Sequence, residues 1–475
     1  MTLLDFAHFA VSDTVQTVSL VIICVGVITN LLFLTHLILA SIALVSDPPV
    51  RQTGLLAARY GDVVPPVAIL VPAYNEEMNI VDSVHALLGI RYPMFEVIVV
   101  NDGSKDGTMQ RLKEAFNLTP TYRAQEPSLK HAPLLGVYAS PDHPTLLVLD
   151  KENGGKADAL NAAIRHARSP IICSIDADSI LEPDALLRAV RPFVEDPENM
   201  VAVGGTVRVA NGCRIEHGEV KEVALPSDLL GLFQTVEYMR AFLVGRLGWS
   251  RIGALTVISG AFGLFRRQEV LDVGGYDTTT VGEDMELVVK LQHRLRKSKP
   301  ALRMAFVPEP VCWTEVPKSL SVLARQRTRW QRGSIETLVR HWGMTFNPRY
   351  GALGIVGFGY VFLVEALGPL MEAIGYVFIP AMVALNMLSI EYLLAFLAAS
   401  ATFGVFLSLG ALALAELELK RFPRVRDLLV LSGAAIVENF GYRQLNNFWR
   451  LQGLIQFLTG HKSWGVMTRS GFRKA

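Results

Sequence analysis

Hydrophobic positions fall into three regimes along the chain. From Thr14 to Ser46, 33 residues pass without an Asp, Glu, Lys or Arg. About 20 apolar residues cross a bilayer, so this run predicts a transmembrane helix with length to spare. From 66 to 315 short apolar runs alternate with helix-like runs, which predicts an α/β layered domain. Gly351 to Ala415 is apolar again, with only Glu365, Glu372 and Glu391 charged in 65 residues. Two spans fit there, roughly 352–386 and 392–415, the first kinked or split at Gly368-Pro369. Glu365 and Glu372 are costly in lipid and are expected against protein or a water-filled path. Leu428–Val437 is a weaker apolar run and Phe448–Leu458 is amphipathic, which fits a fourth or an interfacial helix.

Charge sharpens this division. The chain has 475 residues, 51% hydrophobic, with 45 Lys+Arg against 44 Asp+Glu. That balance argues against nucleic-acid binding through bulk charge. Residues 1–46 hold two acids and no base, and 351–475 hold ten bases and seven acids, leaving 35 of each sign for 47–350. A soluble middle therefore lies between apolar ends. The first run lacks a basic leader and is too long for a cleaved signal peptide, which favours a membrane anchor. The N-terminal tail carries only Asp5 and Asp13, whereas Arg51 and Arg59 follow the first span. The positive-inside rule then puts the middle domain in the cytosol, with Lys420-Arg421-Phe422-Pro423-Arg424 as a cytosolic loop. Residues 418–475, with ten bases and three acids, suit a surface near anionic lipid. Cys24, Cys173, Cys213 and Cys312 are scattered, with no zinc-like spacing.

Within the middle, polar residues fall at the carboxyl ends of apolar strands, where open α/β sheets bind ligands. Val67–Val71 leads to Tyr74-Asn75-Glu76, and Phe95–Val100 to Asn101-Asp102-Gly103. Leu146–Leu149 is a third strand, and Pro170–Ile175 ends at Asp176-Ala177-Asp178. Two carboxylates two apart suit an oxygen-liganded Mg²⁺ or Mn²⁺, or else cap the helix beginning near Pro183. Asp102 is either a turn residue or a carboxylate that accepts from a base N–H. In Asn153-Gly154-Gly155-Lys156-Ala157-Asp158, glycines let backbone approach a ligand and Lys156 suits phosphate; a loop and N-cap is the alternative. Glu283 and Asp284 open a helix, as dipole partners or as a general base. Ala324–Leu338 is amphipathic and carries Gln326, Arg329 and Trp330. It reads as a membrane-surface helix, with an Arg for diphosphate and a Trp for a sugar face.

These pieces, with Ser259-Gly260-Ala261-Phe262 between Asp178 and Asp284, follow one order along the chain. That order and the flanking spans resemble the membrane-embedded, processive family 2 glycosyltransferases, which include cellulose, chitin, hyaluronan and poly-N-acetylglucosamine synthases. The resemblance implies a GT-A fold inserted between transmembrane helices, with amphipathic interface helices, and a nucleotide-sugar donor, a UDP-hexose or UDP-N-acetylhexosamine. It implies Tyr74, Glu76 and Asp102 around base and ribose, and Lys156, Asp158 and Asp176 along the donor. Asp178 becomes the main metal ligand beside Asp176, Asp284 the base with Glu283 next to it, and Gln326, Arg329 and Trp330 the element near diphosphate and acceptor. One base suffices for inversion by direct displacement.

The implied activity is processive transfer to a growing polysaccharide coupled to export; the alternative is single transfer to a membrane lipid. The implied layout is an anchor at 1–46, a cytosolic catalytic domain at 47–315, interface helices at 316–350, transmembrane and interfacial helices at 351–460, and a basic cytosolic tail at 461–475. The expected place is the plasma (inner) membrane, crossed several times. Few spans for a single-chain channel point to an oligomer or accessory export partners. No fused cyclic-nucleotide sensor is expected after the spans. Asn117–His143, with Pro120, Pro127, Pro133 and Pro141, is expected to be an irregular loop.

Overall fold

A computed structural model of the chain describes residues 3–47, 63–216, 218–298, 302–419 and 424–460. Arg51, Arg59, Lys420 to Pro423 and the 461–475 tail lie outside the described residues. In chain order the elements begin with α1 Leu3–Ser46, β1 Val67–Ala73, α2 Ile80–Leu88, β2 Phe95–Asp102, α3 Thr108–Ala115, β3 Thr119–Pro120, β4 Leu134–Ala139 and β5 Leu146–Lys151. Next come α4 Lys156–His166, β6 Ile171–Ile175, β7 Ser179–Leu181, α5 Ala185–Glu195, β8 Met200–Val209, β9 Arg214–Glu216 and β10 Glu219–Glu222. Helix α6 Leu229–Tyr238 runs through a π-helical stretch, Met239–Gly245, into α7 Arg246–Arg251. β11 Phe262–Arg266, α8 Arg267–Asp272, α9 Glu283–Ser298, β12 Arg303–Thr314 and α10 Leu320–Arg340 complete the middle. Two more π-helical stretches, Leu353–Phe358 and Val361–Ala366, lead into α11 Gly368–Ala384, α12 Ile390–Leu419, α13 Val425–Val437 and α14 Tyr442–Leu458.

Ten strands form one mixed sheet in the order β3-β4-β5-β2-β1-β6-β11-β8-β12-β7. Its centre is parallel: β1 pairs with β2 and β6, and β2 with β5. Such strands are buried on both faces and need apolar residues at consecutive positions. Ile69, Val71, Val97 and Val99 join the core on one face, while Ala68, Leu70, Ile98 and Val100 join that on the other. β11 runs antiparallel between β6 and β8. The carboxyl ends of β1, β2, β5 and β6 therefore open on one edge, and the chemistry gathers there.

The 117–143 segment departs from the expected irregular loop. Leu134–Ala139 pairs antiparallel with β5, and Thr119-Pro120 pairs with β4 at the sheet's edge. Its prolines lie on the edge strand or outside the strands, where no ladder N–H is lost.

Among the described residues, three helical runs are long and apolar enough to cross a membrane: Val15–Ser46, Leu353–Ala384 and Leu393–Leu417. On α1, Leu20, Val27, Leu31, Ile38 and Val45 are exposed. The second run breaks before Gly368-Pro369, as expected. Glu365 faces protein: its Oε2 lies 2.8 Å from Arg450 Nη2 and its Oε1 accepts from the Tyr360 hydroxyl at 3.0 Å. Glu372 accepts from the Tyr376 hydroxyl. One buried cluster joins Ala40 and Leu44 of α1, Leu243 of the π-helical stretch, Leu323 of α10, Ala411 of α12, Leu431 of α13 and Trp449 of α14. The apolar helices and the α/β domain thus share packing rather than hang on a linker.

Candidate active site

The site begins with a turn that only glycine takes easily. Gly155 has φ +89°, a conformation costly for residues with a Cβ. It ends the Asn153-Gly154-Gly155 turn and starts α4 at Lys156. The turn is fixed from behind by Asp102 at the end of β2. Asp102 Oδ1 accepts from Gly154 N at 3.0 Å, and Oδ2 from Gly155 N at 2.8 Å and Asn153 Nδ2 at 3.2 Å. Lys151 at the end of β5, fully buried, pairs with Asp102 and with Asp158. Asp158 also accepts from Ala132 N.

Both Asp102 and Asp158, which the family resemblance puts along the donor, are largely buried, and their oxygens meet backbone N–H groups and Lys151. They also shape the glycine turn. Tyr74 and Glu76 sit at the end of β1, Tyr74 half exposed and Glu76 buried. Between them Asn75, at φ +56°, locks onto the neighbouring strand end: its N donates to Ser104 Oγ and its Oδ1 accepts from Lys105 N.

Across the turn, charges crowd together. Lys156 Nζ lies 2.6 Å from Asp176 Oδ1 and 3.3 Å from Glu283 Oε1. Gly260 N donates to Asp284 Oδ2 at 3.0 Å, and Met285 N to Asp284 Oδ1 at 2.8 Å. The end of β6, the start of β11 and the first turns of α4 and α9 thus meet at one point. Burial opposes the charge on Lys156, but Asp176 and Glu283 more than offset it and hold its pKa above that of ordinary lysine. Glu283 is buried, which pushes its carboxyl up despite Lys156. Asp284 is partly open, so of the adjacent pair it is the one an incoming group reaches.

Helix α10 closes the far side. Gly282, before α9, packs backbone to backbone on Gly333 of α10: a Cβ on Gly333 would stand 2.8 Å from Gly282 Cα. That approach brings Arg329 close enough for its charge to act on Glu283. Trp330 is exposed, with the Arg327 guanidinium 4.3 Å from its ring centre. Arg327 Nη1 also donates to Gln326 Oε1 at 3.3 Å, and Arg327 pairs with Glu237 at 2.8 Å.

Two further charged residues contact this set: Lys151, through Asp102 and Asp158, and Arg327, through Gln326 and Trp330. Lys151 is legible as a cation ending an apolar strand. Arg327 lies inside an Arg-rich helix, between Gln326 and Arg329.

A divalent ion fits the carboxylates at β6. Burial and the neighbouring Asp176 push Asp178 up to about 7, the mark of negative charge that a cation would relieve. Among the described residues no group of three or more His, Cys, Asp or Glu could hold a metal. Two suffice for Mg²⁺ or Mn²⁺ when substrate phosphates and water supply the other oxygens.

The chain matches two family models, Glycosyl transferase family 2 over residues 68–221 and Glycosyl transferase family group 2 over 171–407. It is 32% identical over 294 residues to poly-beta-1,6-N-acetyl-D-glucosamine synthase of Staphylococcus aureus, covering 62% of this chain and 60% of that one. The Staphylococcus epidermidis protein of the same name is 29% identical over 292 residues, covering 62% and 60%. The aligned part thus spans about three fifths of the length of these curated relatives. A mannosyltransferase from Pyrobaculum calidifontis, solved with GDP-Man and Mn²⁺, superposes with TM-score 0.55 at 17% identity, over 95% of this chain and 99% of that one. That likeness establishes the GT-A fold.

Proposed function

We propose, from the premise that this chain belongs to glycosyltransferase family 2, that it is a membrane-bound inverting transferase building a polysaccharide from a UDP-sugar. The similarity to poly-N-acetylglucosamine synthases favours UDP-N-acetylglucosamine as donor and a growing β-linked chain as acceptor. The observation that carries the reading is the partly open Asp284 carboxylate, fixed by Gly260 N beside the Lys156–Asp176 pair.

In this reading Asp284 accepts the proton of the acceptor hydroxyl as that oxygen bonds to the anomeric carbon from the face opposite the leaving diphosphate. Lys156 and Arg329 stand where the leaving group's charge grows. Glu283 holds Lys156, and Tyr74 and Glu76 border the base. Gln326 and Trp330 present a polar edge and an aromatic face to sugar. When bound to Asp178 and Asp176, Mg²⁺ or Mn²⁺ would neutralise diphosphate charge. Asp102 and Asp158 border the donor at the glycine turn that they fix.

The proposed layout keeps 1–46 as anchor, 47–315 as the cytosolic catalytic domain, 316–350 as interface helices and 351–460 as membrane and interfacial helices. The proposed place is the inner membrane.

Membranes containing the full chain, given radiolabelled UDP-N-acetylglucosamine with Mg²⁺ or Mn²⁺, test this. UDP release with long polymer is the expected result. Release with only a lipid-extractable single sugar would replace polymer by a lipid acceptor, and no release overturns the donor assignment.

A further inference from the structure

The cation against the Trp330 ring is held from outside its own helix. Arg327 and Trp330 stand three apart on α10, where side chains are neighbours in any helix, so their 4.3 Å contact alone decides nothing. What decides is the other end of the guanidinium. Arg327 is 3% exposed, and its Nη2 lies 2.8 Å from Glu237 Oε2 on α6. The same carboxylate oxygen accepts from the hydroxyl of Tyr442, the first residue of α14, at 2.8 Å. Tyr442 is itself buried, and its ring packs on Phe233, one turn before Glu237 on α6, with ring centres 5.0 Å apart. Residues 90 and more positions apart in the chain thus converge on one guanidinium.

Arg327 is too buried to meet a ligand, but the two residues it touches are not. Trp330 is 44% exposed, and Gln326, whose Oε1 accepts from Arg327 Nη1 at 3.3 Å, is partly open. These are the residues that the proposed function turns toward sugar. An indole that is free to rotate loses that freedom when a sugar settles on it, whereas a ring already held against a cation has less to lose. Helix α14 backs this same stretch of α10. Thr328 Oγ1 donates to the Trp449 carbonyl at 3.2 Å, Arg450 Nε donates to Gln331 Oε1 at 2.8 Å, and a Cβ on Gly453 would stand 2.7 Å from the Thr328 carbonyl oxygen.

We propose that Glu237 and Tyr442 are positioning residues of the acceptor subsite: through Arg327 they fix Trp330 and Gln326, so that the interfacial helix α14 sets how tightly the acceptor sugar binds. The inference rests on the reading that Trp330 meets the acceptor. Glu237 and Tyr442 touch no substrate in this arrangement, and their effect reaches the sugar only by way of the ring.

The test uses the full chain in lipid nanodiscs, with UDP-N-acetylglucosamine as donor and a β-1,6-linked N-acetylglucosamine pentasaccharide as acceptor probe. Glu237→Gln keeps the shape and removes the charge. It is expected to raise the KM for the pentasaccharide about tenfold, the equivalent of one more side chain to order on binding. Tyr442→Phe removes one hydroxyl and leaves the Glu237–Arg327 pair, so about threefold is expected. In both variants kcat and donor affinity are expected to stay within about twofold, the split that follows when only acceptor binding is lost. Fluorotryptophan labelling supplies a second readout. The Trp330 fluorine resonance, identified by its loss in Trp330→Phe, is expected to shift in both variants while the other tryptophans of the six hold theirs. A fall in kcat or donor affinity with the pentasaccharide KM unchanged overturns the proposal. So does a shift spread over all six tryptophans, the sign of general loosening. Should Glu237→Gln not fold, Tyr442→Phe decides alone: an unchanged pentasaccharide KM or an unmoved Trp330 resonance overturns the proposal. Wild-type protein that releases no UDP removes the functional reading and this inference with it; an active wild type with a normal Tyr442→Phe variant removes the inference only.

Discussion

The two halves of the sheet's open edge use the same residues to opposite ends. On the β2–β5 side, Asp102 and Asp158 share Lys151 and every remaining contact is a backbone or amide N–H. Two buried carboxylates there meet one ammonium, and backbone and amide N–H groups balance the remaining charge, which makes a rigid turn. On the β6–α9 side, Asp176, Asp178, Glu283 and Asp284 gather around Lys156. Negative charge exceeds the cation at its centre, and the Asp178 and Glu283 carboxyls are both pushed up. The balanced cluster holds shape, whereas excess negative charge in the other favours a cation.

The comparison breaks most sharply at Asp284. Asp284→Asn is expected to cost about 10³-fold or more in transfer, within the range of general-base catalysis, with donor binding kept. Equilibrium UDP-sugar binding alongside single-turnover transfer checks this, and lost binding would move Asp284 to the donor site. Asp178→Asn comes next, with about a hundredfold loss of metal-dependent turnover, since one anionic ligand becomes neutral. Titration of Mn²⁺ against activity is the measurement; an unchanged half-saturating concentration would take Asp178 out of the metal site.

Legibility in the sequence divides the same way. Strand ends are readable because a parallel strand needs a continuous apolar run and its polar residues pile up at the end, as at Asp176-Ala177-Asp178. Glu283 and Asp284 are readable because acids open helices and the motif order is distinctive. What the sequence does not display is which carboxylates are consumed internally. The contacts of Asp102 are hidden because its partners, Lys151 and two backbone N–H groups, are 49 to 53 residues away. β4 is hidden by the prolines around it.

The balanced side should answer in stability rather than chemistry. Lys151→Met leaves two buried carboxylates without their cation and is expected to cost about 3 kcal/mol. Thermal unfolding in nanodiscs reads it, and adding Asp102→Asn should recover part of the loss because the pair is coupled. Gly333→Ala tests the seam between α9 and α10. The new Cβ would stand 2.8 Å from Gly282 Cα, so the helices must part. About 1–2 kcal/mol of stability and about tenfold in transfer are expected. A normal transfer rate would mean that Arg329 does not depend on that seam.

Glu96 gives the smallest effect and the cleanest sign. It lies at the start of β2, away from the site, and its Oε1 accepts from Arg168 N at 2.8 Å, Ser169 N at 3.1 Å and Ser169 Oγ at 3.0 Å. Arg123 pairs with its other oxygen. Burial raises its pKa, but these donors outweigh burial and hold the carboxyl below its ordinary value, opposite to Asp178 and Glu283. A folded-state pKa below the unfolded one adds stability at pH above the unfolded value, and that stability is lost as pH falls through the folded value. Glu96→Gln should therefore melt lower than wild type near neutral pH, by about 1 kcal/mol for one set of charged hydrogen bonds. The gap should close on acidification below the folded pKa, where the wild-type carboxyl is protonated as well. Paired melting curves from neutral to acid pH decide it. A gap that stays constant would mean Glu96 stabilises through packing rather than through its charge.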